Sequence, residues 1–347
     1  MNYNDFLNNL IASLMKENGS DIHLSEGRYP VIRVHGNLFE LENFKIMKDV
    51  DLIALLDIIL SSEYKENFLK EKELDFSFEM NGFRFRGSCF FAKGSVAISL
   101  RVVPKEIGSF SDLSLPPSLE AFTQKKQGFF LIVGPMGHGK STTLASMLEL
   151  INQTRKEHIV TIEDPIEHIF QKGKSIIDQR EVKLDTKDFP TALRAIFRQD
   201  ADVLMIGEMR GLETISTSVT AAETGHLVFS TLHTNNAAQT VDRIIDVFPP
   251  QQQNQIKIQL AASLLGIFSQ RLLPRVSGGM VPAYELMINN TAIANLIREG
   301  RTFEINNVIE TSSGEGMVSL SKSLESLIQN GEITLETAKK YSSNGYL

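Results

Sequence analysis

The stretch GPMGHGKST (134–142) constrains this chain more than any other. Gly134, Gly139, Lys140 and Ser141 match the pattern G-x-x-x-x-G-K-[ST], with an apolar run, GFFLIV, before it and a helical pattern after it. Glycines let backbone N–H groups wrap phosphate oxygens, and the N-terminus of the following helix adds its positive dipole end. The spacing assigns Gly134, Pro135, Gly137, His138, Gly139, Lys140, Ser141 and Thr142 to a nucleotide site. Lys140 reaches the terminal phosphates and Ser141 ligates magnesium, so ATP and Mg2+ are the expected cofactors. His138 sits at a variable loop position. A solvated side chain is the simple expectation for it, and contact with phosphate the sharper one.

Such a loop needs a sheet behind it. From 128 onward the runs GFFLIVG, HIVTIED, KSIIDQR, DVLMIGE and HLVFSTLH alternate with helical stretches. Continuous apolar strands separated by helices predict a largely parallel sheet covered on both faces. After about 250 the chain reads as mainly helical. Residues 1–107 read as a smaller α/β domain that begins with a helix, apolar at 6, 7, 10, 11, 14 and 15. Two short strands flank His35-Gly36-Asn37, and one helix is expected over roughly 48–69. LDFSFEM and FRFRGSCFF flank Asn81-Gly82, a hairpin signal, and SVAISLRVV adds a third strand. The Ser- and Pro-rich stretch from 108 marks a linker over 108–125, leaving 126–347 as the second domain.

Composition narrows the function class. A formal net charge of −7 over 347 residues argues against a nucleic-acid binder. One cysteine, Cys89, excludes a disulfide framework and a Cys-based zinc site. The most apolar late stretch, IQLAASLLGIFSQ, is too short and too polar for a transmembrane segment. The expectation is a soluble, cytoplasmic protein.

The strand LMIGEMR (204–210) ends in Glu208, with Gly207 where many such folds carry a further carboxylate. HIVTIEDPIEH (158–168) ends its strand in Glu163-Asp164. In a parallel sheet, ligands collect at the carboxyl ends of the strands. Either Glu163 or Asp164 can therefore join Glu208, one acting on water and the other holding magnesium, directly or through water. In AAETGHLVFSTLHTNNA (221–237), His226 starts a strand and His233 ends it, where a γ-phosphate sensor would sit. Arg84 and Arg86 alternate with Phe83 and Phe85, which puts both arginines on one sheet face. They suit either a solvated face or charge delivery to a phosphate at a domain or subunit boundary.

SDIHL (20–24), GPMGHGKSTT, TIEDPIE (161–167), IIDQREV (176–182), IGEMR (206–210) and TAAETGHLVFSTLHT (220–234) occur in this order along nearly the whole chain. In this the chain resembles the type IV pilus twitching-motility retraction ATPases of the secretion ATPase superfamily. The resemblance implies a PAS-like N-terminal domain and a RecA-like ATPase domain. It implies a homohexamer that holds ATP between domains and works on an inner-membrane pilus platform protein, beside a possible paralogous retraction ATPase. It assigns Lys140 and Ser141 to phosphate and magnesium, Glu163 to the acidic box, and Glu208 to a degenerate Walker B strand. His226 and His233 fall in the His box, and Arg84, Arg86 and Arg101 at positions that present arginines to nucleotide.

Departures from the family pattern are His138 for Ser, Met136 for Thr, Gly211 after Met-Arg in place of Asp, and Lys93 for Arg. TAIANLIREG (291–300) places Ile293, Leu296 and Ile297 on one helix face, with Thr291 able to cap the start. It is similar to the AIRNLIRE motif of the retraction branch, with Ala294 in place of the first arginine. The resemblance implies that Asn295, Arg298 and Glu299 couple turnover to retraction. A pilus assembly or type II secretion-type ATPase would carry a longer N-terminal extension and a four-cysteine insert. A PilU-like accessory ATPase is the other alternative. A catalytically dead scaffold is opposed by intact Lys140, Glu163 and Glu208, and a nucleic-acid translocase by the acidic balance.

Overall fold

The computed structural model describes residues 2–209 and 211–342, and the chain divides into two units. The first runs to Glu106 and takes in Pro165–Ile169, and the second comprises Ile107–Asp164 and the chain from Phe170.

In the first unit the elements are α1 (Tyr3–Lys16), β1 (Asp21–Ser25), β2 (Val31–Val34), β3 (Asn37–Glu40), α2 (Asp49–Ile59), α3 (Ser62–Glu71), β4 (Glu73–Met80), β5 (Phe83–Ala92) and β6 (Ser95–Val102). The strands form one sheet in the order β3-β2-β1-β6-β5-β4, and every pairing in it is antiparallel. Asn81 and Gly82 hold φ of 55° and 70°, as a tight two-residue hairpin turn requires. The single helix expected over 48–69 is two. Leu60 adopts an extended conformation, and Ser61 caps the second helix by accepting from the Tyr64 N–H. One face of α1 buries Phe6, Leu7, Leu10, Ile11 and Leu14.

The second unit contains α4 (Glu120–Thr123), β7 (Gly128–Val133), α5 (Lys140–Thr154), β8 (His158–Glu163), β9 (Ile176–Glu181), α6 (Phe189–Ile196), β10 (Val203–Ile206), α7 (Leu212–Glu223), β11 (Leu227–Leu232), α8 (Ala237–Asp246) and α9 (Pro250–Ser263). It continues through β12 (Leu264–Pro274), β13 (Met280–Ile288), α10 (Thr291–Glu299), α11 (Ile305–Thr311), α12 (Leu320–Gln329) and α13 (Leu335–Tyr341). The sheet order is β13-β12-β7-β11-β10-β8-β9. Every pairing is parallel except β12 with β13. β7, β10 and β11 are buried along their whole length because both faces are covered. Phe129, Leu131 and Val133 enter one core, while Phe130 and Ile132 enter the other. Residues 107–125 pack with this unit, with Leu115, Leu119 and Phe122 buried.

The tail after 250 departs from the helical expectation. Leu264–Pro274 and Met280–Ile288 form a long hairpin that extends the sheet beside β7. Its first strand follows α9 directly, with no Gly or Pro at the Ser263–Leu264 boundary where helix gives way to strand. Burial explains the conversion: Ile267 and Phe268 are fully enclosed between the two faces, and tertiary packing overrides local propensity.

Asp51 organises the helical side of the first unit. It is buried and accepts from Tyr3 Oη at 2.6 Å, Lys45 Nζ at 2.6 Å and the Lys48 N–H at 3.0 Å. Burial alone would raise its carboxyl, but Lys45, Tyr3 and the Lys48 amide outweigh that and hold it down at about 2. The folded value lies below the ordinary one, so this stabilisation is complete above pH 3.8 and is lost as pH falls from there through about 2. Asp51→Ala is expected to destabilise the first unit by about 2–4 kcal/mol and to flatten its acid-unfolding limb below pH 4. Thermal and acid melts of the full chain test this, and coincident curves for variant and parent would contradict it.

Candidate nucleotide-hydrolysing site

The phosphate loop hangs between β7 and α5, and its conformation is set by glycine. Gly134, Gly137 and Gly139 have φ of 140°, 77° and 78°. At Gly134 a side chain is also excluded by space, since a Cβ would lie 2.3 Å from the Gln270 carbonyl oxygen. Lys140 opens α5 and is only 7% exposed. Its ammonium donates to the carbonyls of Gly134 at 2.9 Å and Pro135 at 2.8 Å, and lies 3.2 Å from His233 Nδ1. A buried ammonium has to be surrounded by acceptors in this way.

Strand β12 clamps the same loop. Gln270 is 2% exposed. It donates from Nε2 to the His138 carbonyl at 2.9 Å and accepts at Oε1 from Thr143 at 2.6 Å. The Leu272 N–H donates to His138 Nδ1 at 2.9 Å, and the ring meets Tyr341 edge-on. His138 is therefore not a solvated loop side chain. Burial, with Lys140 and Arg271 nearby, lowers its pKa and favours the neutral ring that this contact needs. Gln270 and Thr143 had no sequence signal: the strand carrying Gln270 reads as helix, and Thr143 lies past the loop motif.

Parallel pairing brings the acidic strand ends into line. Ile206 is in register with Ile162 and with Ser230, and Leu232 with Val133. Gly207, Glu208, Glu163 and His233 thus follow the carboxyl ends of neighbouring strands. Glu163 is 5% exposed, and its Oε1 accepts from Thr161 at 2.7 Å and Gln179 at 3.1 Å. Gln179 stands on β9, so the IIDQREV segment orients the acidic box. Glu208 Oε2 lies 3.7 Å from His233 Nε2. His233 therefore touches Lys140 with one ring nitrogen and faces Glu208 with the other. The Gly207 carbonyl accepts from Thr231 at 2.6 Å and the Ile206 carbonyl from Ser230 at 2.7 Å, which fixes the start of the Glu208 turn. His226 does not join them. It precedes β11 and His233 follows it, so the two are about 23 Å apart at ~3.3 Å per residue. There it contacts the Ala221 carbonyl and Phe197. Arg210, the last residue of IGEMR, lies outside the described residues.

A phosphate loop, a buried lysine linked through a histidine to one strand-end acid, and a second acid at a neighbouring strand end are the parts of a nucleotide-hydrolysing site. The family model described as "Type II/IV secretion system protein" matches residues 2–336. The chain belongs to this family. Among its relatives, the type IV pilus retractation ATPase PilT of Pseudomonas aeruginosa is 40% identical over 332 residues, covering 95% of this chain and 96% of that one. A twitching motility protein of Neisseria gonorrhoeae is 41% identical over 317 residues, covering 91% and 84%. The crystal structure of the pilus retraction motor PilT with bound ADP superposes with a TM-score of 0.91 at 45% identity, over 96% of each chain.

The arginines that the family pattern singles out lie in the first unit. Phe85 is fully buried, while Arg84 and Arg86 occupy the alternate positions of β5. Arg84 donates to Ser77 Oγ at 2.9 Å, Arg86 pairs with Glu167, and Arg101 donates through Nε to Asp21 at 2.7 Å. In the second unit the TAIANLIRE segment is α10. Its cap is Asn290, which accepts from the Ile293 N–H, and not Thr291. Ile293, Ala294, Leu296 and Ile297 are buried. Ala294 thus belongs to the packed face. Arg298 donates to Asn295 on the exposed side, while Glu299 accepts from Arg301 at 2.9 Å.

Lysine and acids are expected to carry separate tasks. Lys140→Ala is expected to weaken nucleotide binding and lower kcat by at least ~10²-fold. Glu163→Gln and Glu208→Gln are expected to keep ATP bound while kcat falls by ~10²–10⁴-fold. Steady-state hydrolysis with parallel ATP-binding measurements checks this. Native turnover in Glu163→Gln would remove the acidic box from the chemistry.

Proposed function

We propose that this chain is a cytoplasmic ATPase motor that couples ATP hydrolysis to type IV pilus retraction, working as a homohexamer on an inner-membrane pilus platform. The observation that carries this reading is the Lys140–His233–Glu208 line beside the acidic-box Glu163, in a chain similar over nearly its whole length to a retractation ATPase. Among the described residues no helix is long and apolar enough to cross a membrane, and docking on a membrane-held partner suits such a chain. We take the first unit as PAS-like and the second as RecA-like.

The residues fit MgATP. The loop N–H groups and Lys140 would hold its phosphates, and Ser141 and Glu208 would hold the metal. Mg2+ held there would supply positive charge against the charge that develops on the phosphates. Glu163, fixed by Thr161 and Gln179, orients the attacking water. His233 lies within reach of both Lys140 and Glu208, so it relays the state of the terminal phosphate to the Walker B strand. An arginine from the first unit neutralises charge developing on the phosphoryl group. An assembly motor is the competing reading, and the direction of work separates the two.

Deletion of the gene is expected to leave cells with many surface pili and no twitching, whereas bald cells would indicate an assembly motor. Sedimentation with a non-hydrolysable ATP analogue should give a hexamer, and monomer alone at micromolar concentration would contradict that. The exposed side of α10 is expected to carry coupling. Arg298→Ala with Glu299→Ala should leave the ring folded and hydrolysing, because the apolar face is untouched and Arg301 keeps Glu304 as a partner. Pilus withdrawal should be impaired, and normal motility in that variant would reduce α10 to packing.

A further inference from the structure

A row of charges crosses the sheet of the first unit. Arg33 on β2 is in register with Asp21 on β1, Asp21 with Arg101 on β6, and Arg101 with Arg86 on β5. Directly opposed residues of antiparallel strands share a face, so one carboxylate stands among three guanidinium groups. Asp21 is 3% exposed. Arg33 gives it little, at 3.9 Å, because its Nη1 is turned to the Gly36 carbonyl at 2.7 Å. Ser20 donates to Oδ2 at 2.7 Å, and Arg101 donates through Nε to Oδ1 at 2.7 Å.

The use of Nε matters. A guanidinium gripped at Nε keeps both terminal NH2 groups as a fork, the part that matches phosphate oxygens. The Arg101 side chain is 65% exposed although its partner is buried. The neighbouring arginines differ: Arg84 spends a terminal nitrogen on Ser77 and Arg86 one on Glu167. Burial pushes the Asp21 carboxyl up, but the Ser20 hydroxyl and Arg101 outweigh it and hold it below the usual carboxylate range. Strand pairing does not need this contact, since β1 and β6 are already joined over Asp21–Ser25.

We propose that Asp21 is a positioning residue for ATP hydrolysis: its buried carboxylate grips Arg101 at Nε and aims the terminal fork at nucleotide phosphate. This rests on reading Arg101 as a nucleotide-contacting arginine, and it makes Arg101 the pre-aimed member of the three. A fork held by a fixed anion loses less freedom when phosphate arrives than one on a loose side chain.

The test uses the full-length protein and four forms: parent, Asp21→Asn, Arg101→Ala and the double variant. Asparagine keeps the shape and an acceptor for Nε but removes the charge. Arg101→Ala is expected to lower kcat for ATP by ~10³-fold. Asp21→Asn is expected to lower kcat by ~10²-fold, the scale of a misplaced catalytic group, with unchanged affinity for a non-hydrolysable ATP analogue. The double variant should be no slower than Arg101→Ala alone, since Asp21 acts through Arg101. Native turnover in Arg101→Ala would overturn the reading of Arg101 and the proposal together. Impaired Arg101→Ala with native Asp21→Asn would overturn the proposal alone. A lowered Tm or lost analogue binding in Asp21→Asn, persisting in the Arg101→Ala background, would assign Asp21 to folding and also overturn it.

Discussion

Burying the Lys140 ammonium is the constraint around which the second unit is arranged. Such a charge cannot stay in a protein interior without acceptors, and the loop bends its own Gly134 and Pro135 carbonyls onto it. That bend requires φ values only glycine adopts easily, and it brings the loop against Gln270 at a distance no side chain could fill. The same ammonium reaches His233, and through His233 the acid of a strand that is not a sheet neighbour of β7. One buried charge thus connects a loop, the edge of β12 and the ends of β10 and β11.

The sheet itself follows from patterning. Strands with apolar residues on both faces can be satisfied only between two layers, and the two cores divide the residues of β7 alternately. This explains why β7, β8, β10 and β11 were legible in the sequence, and why their carboxyl ends could be expected to converge. The hairpin was legible for a different reason, because Asn81-Gly82 tolerates positive φ where most pairs do not.

Most of what stayed hidden depends on distant parts of the chain. The run LLGIFSQRLLP has no turn residue to separate it from α9, and its strand character depends on a place beside β7 that is settled only by the whole fold. Gln270 was lost with it. His138 was visible, but its partner is a backbone N–H 134 positions later in the chain, and no local pattern encodes such a contact. The helix expected over 48–69 failed at Leu60 and Ser61, where a serine cap offers a second start. Thr291 and Asn290 are both capping types, and spacing alone does not choose between them. Among the site residues, the strand-end acids and His233 were placed by period and topology, while Gln179, one of the two donors to Glu163, came from β9, whose mixed exposure gives a weak signal.

The chain passes between its two units three times, at 106/107, at 164/165 and at 169/170. Two of these crossings bracket a five-residue insert, Pro165–Ile169, and the first of them comes one residue after Asp164's neighbour Glu163. A single tether would let the units turn independently, as a ball on a string does. A return loop ties the two units covalently at both of its ends, and one of those ends lies two residues after Glu163.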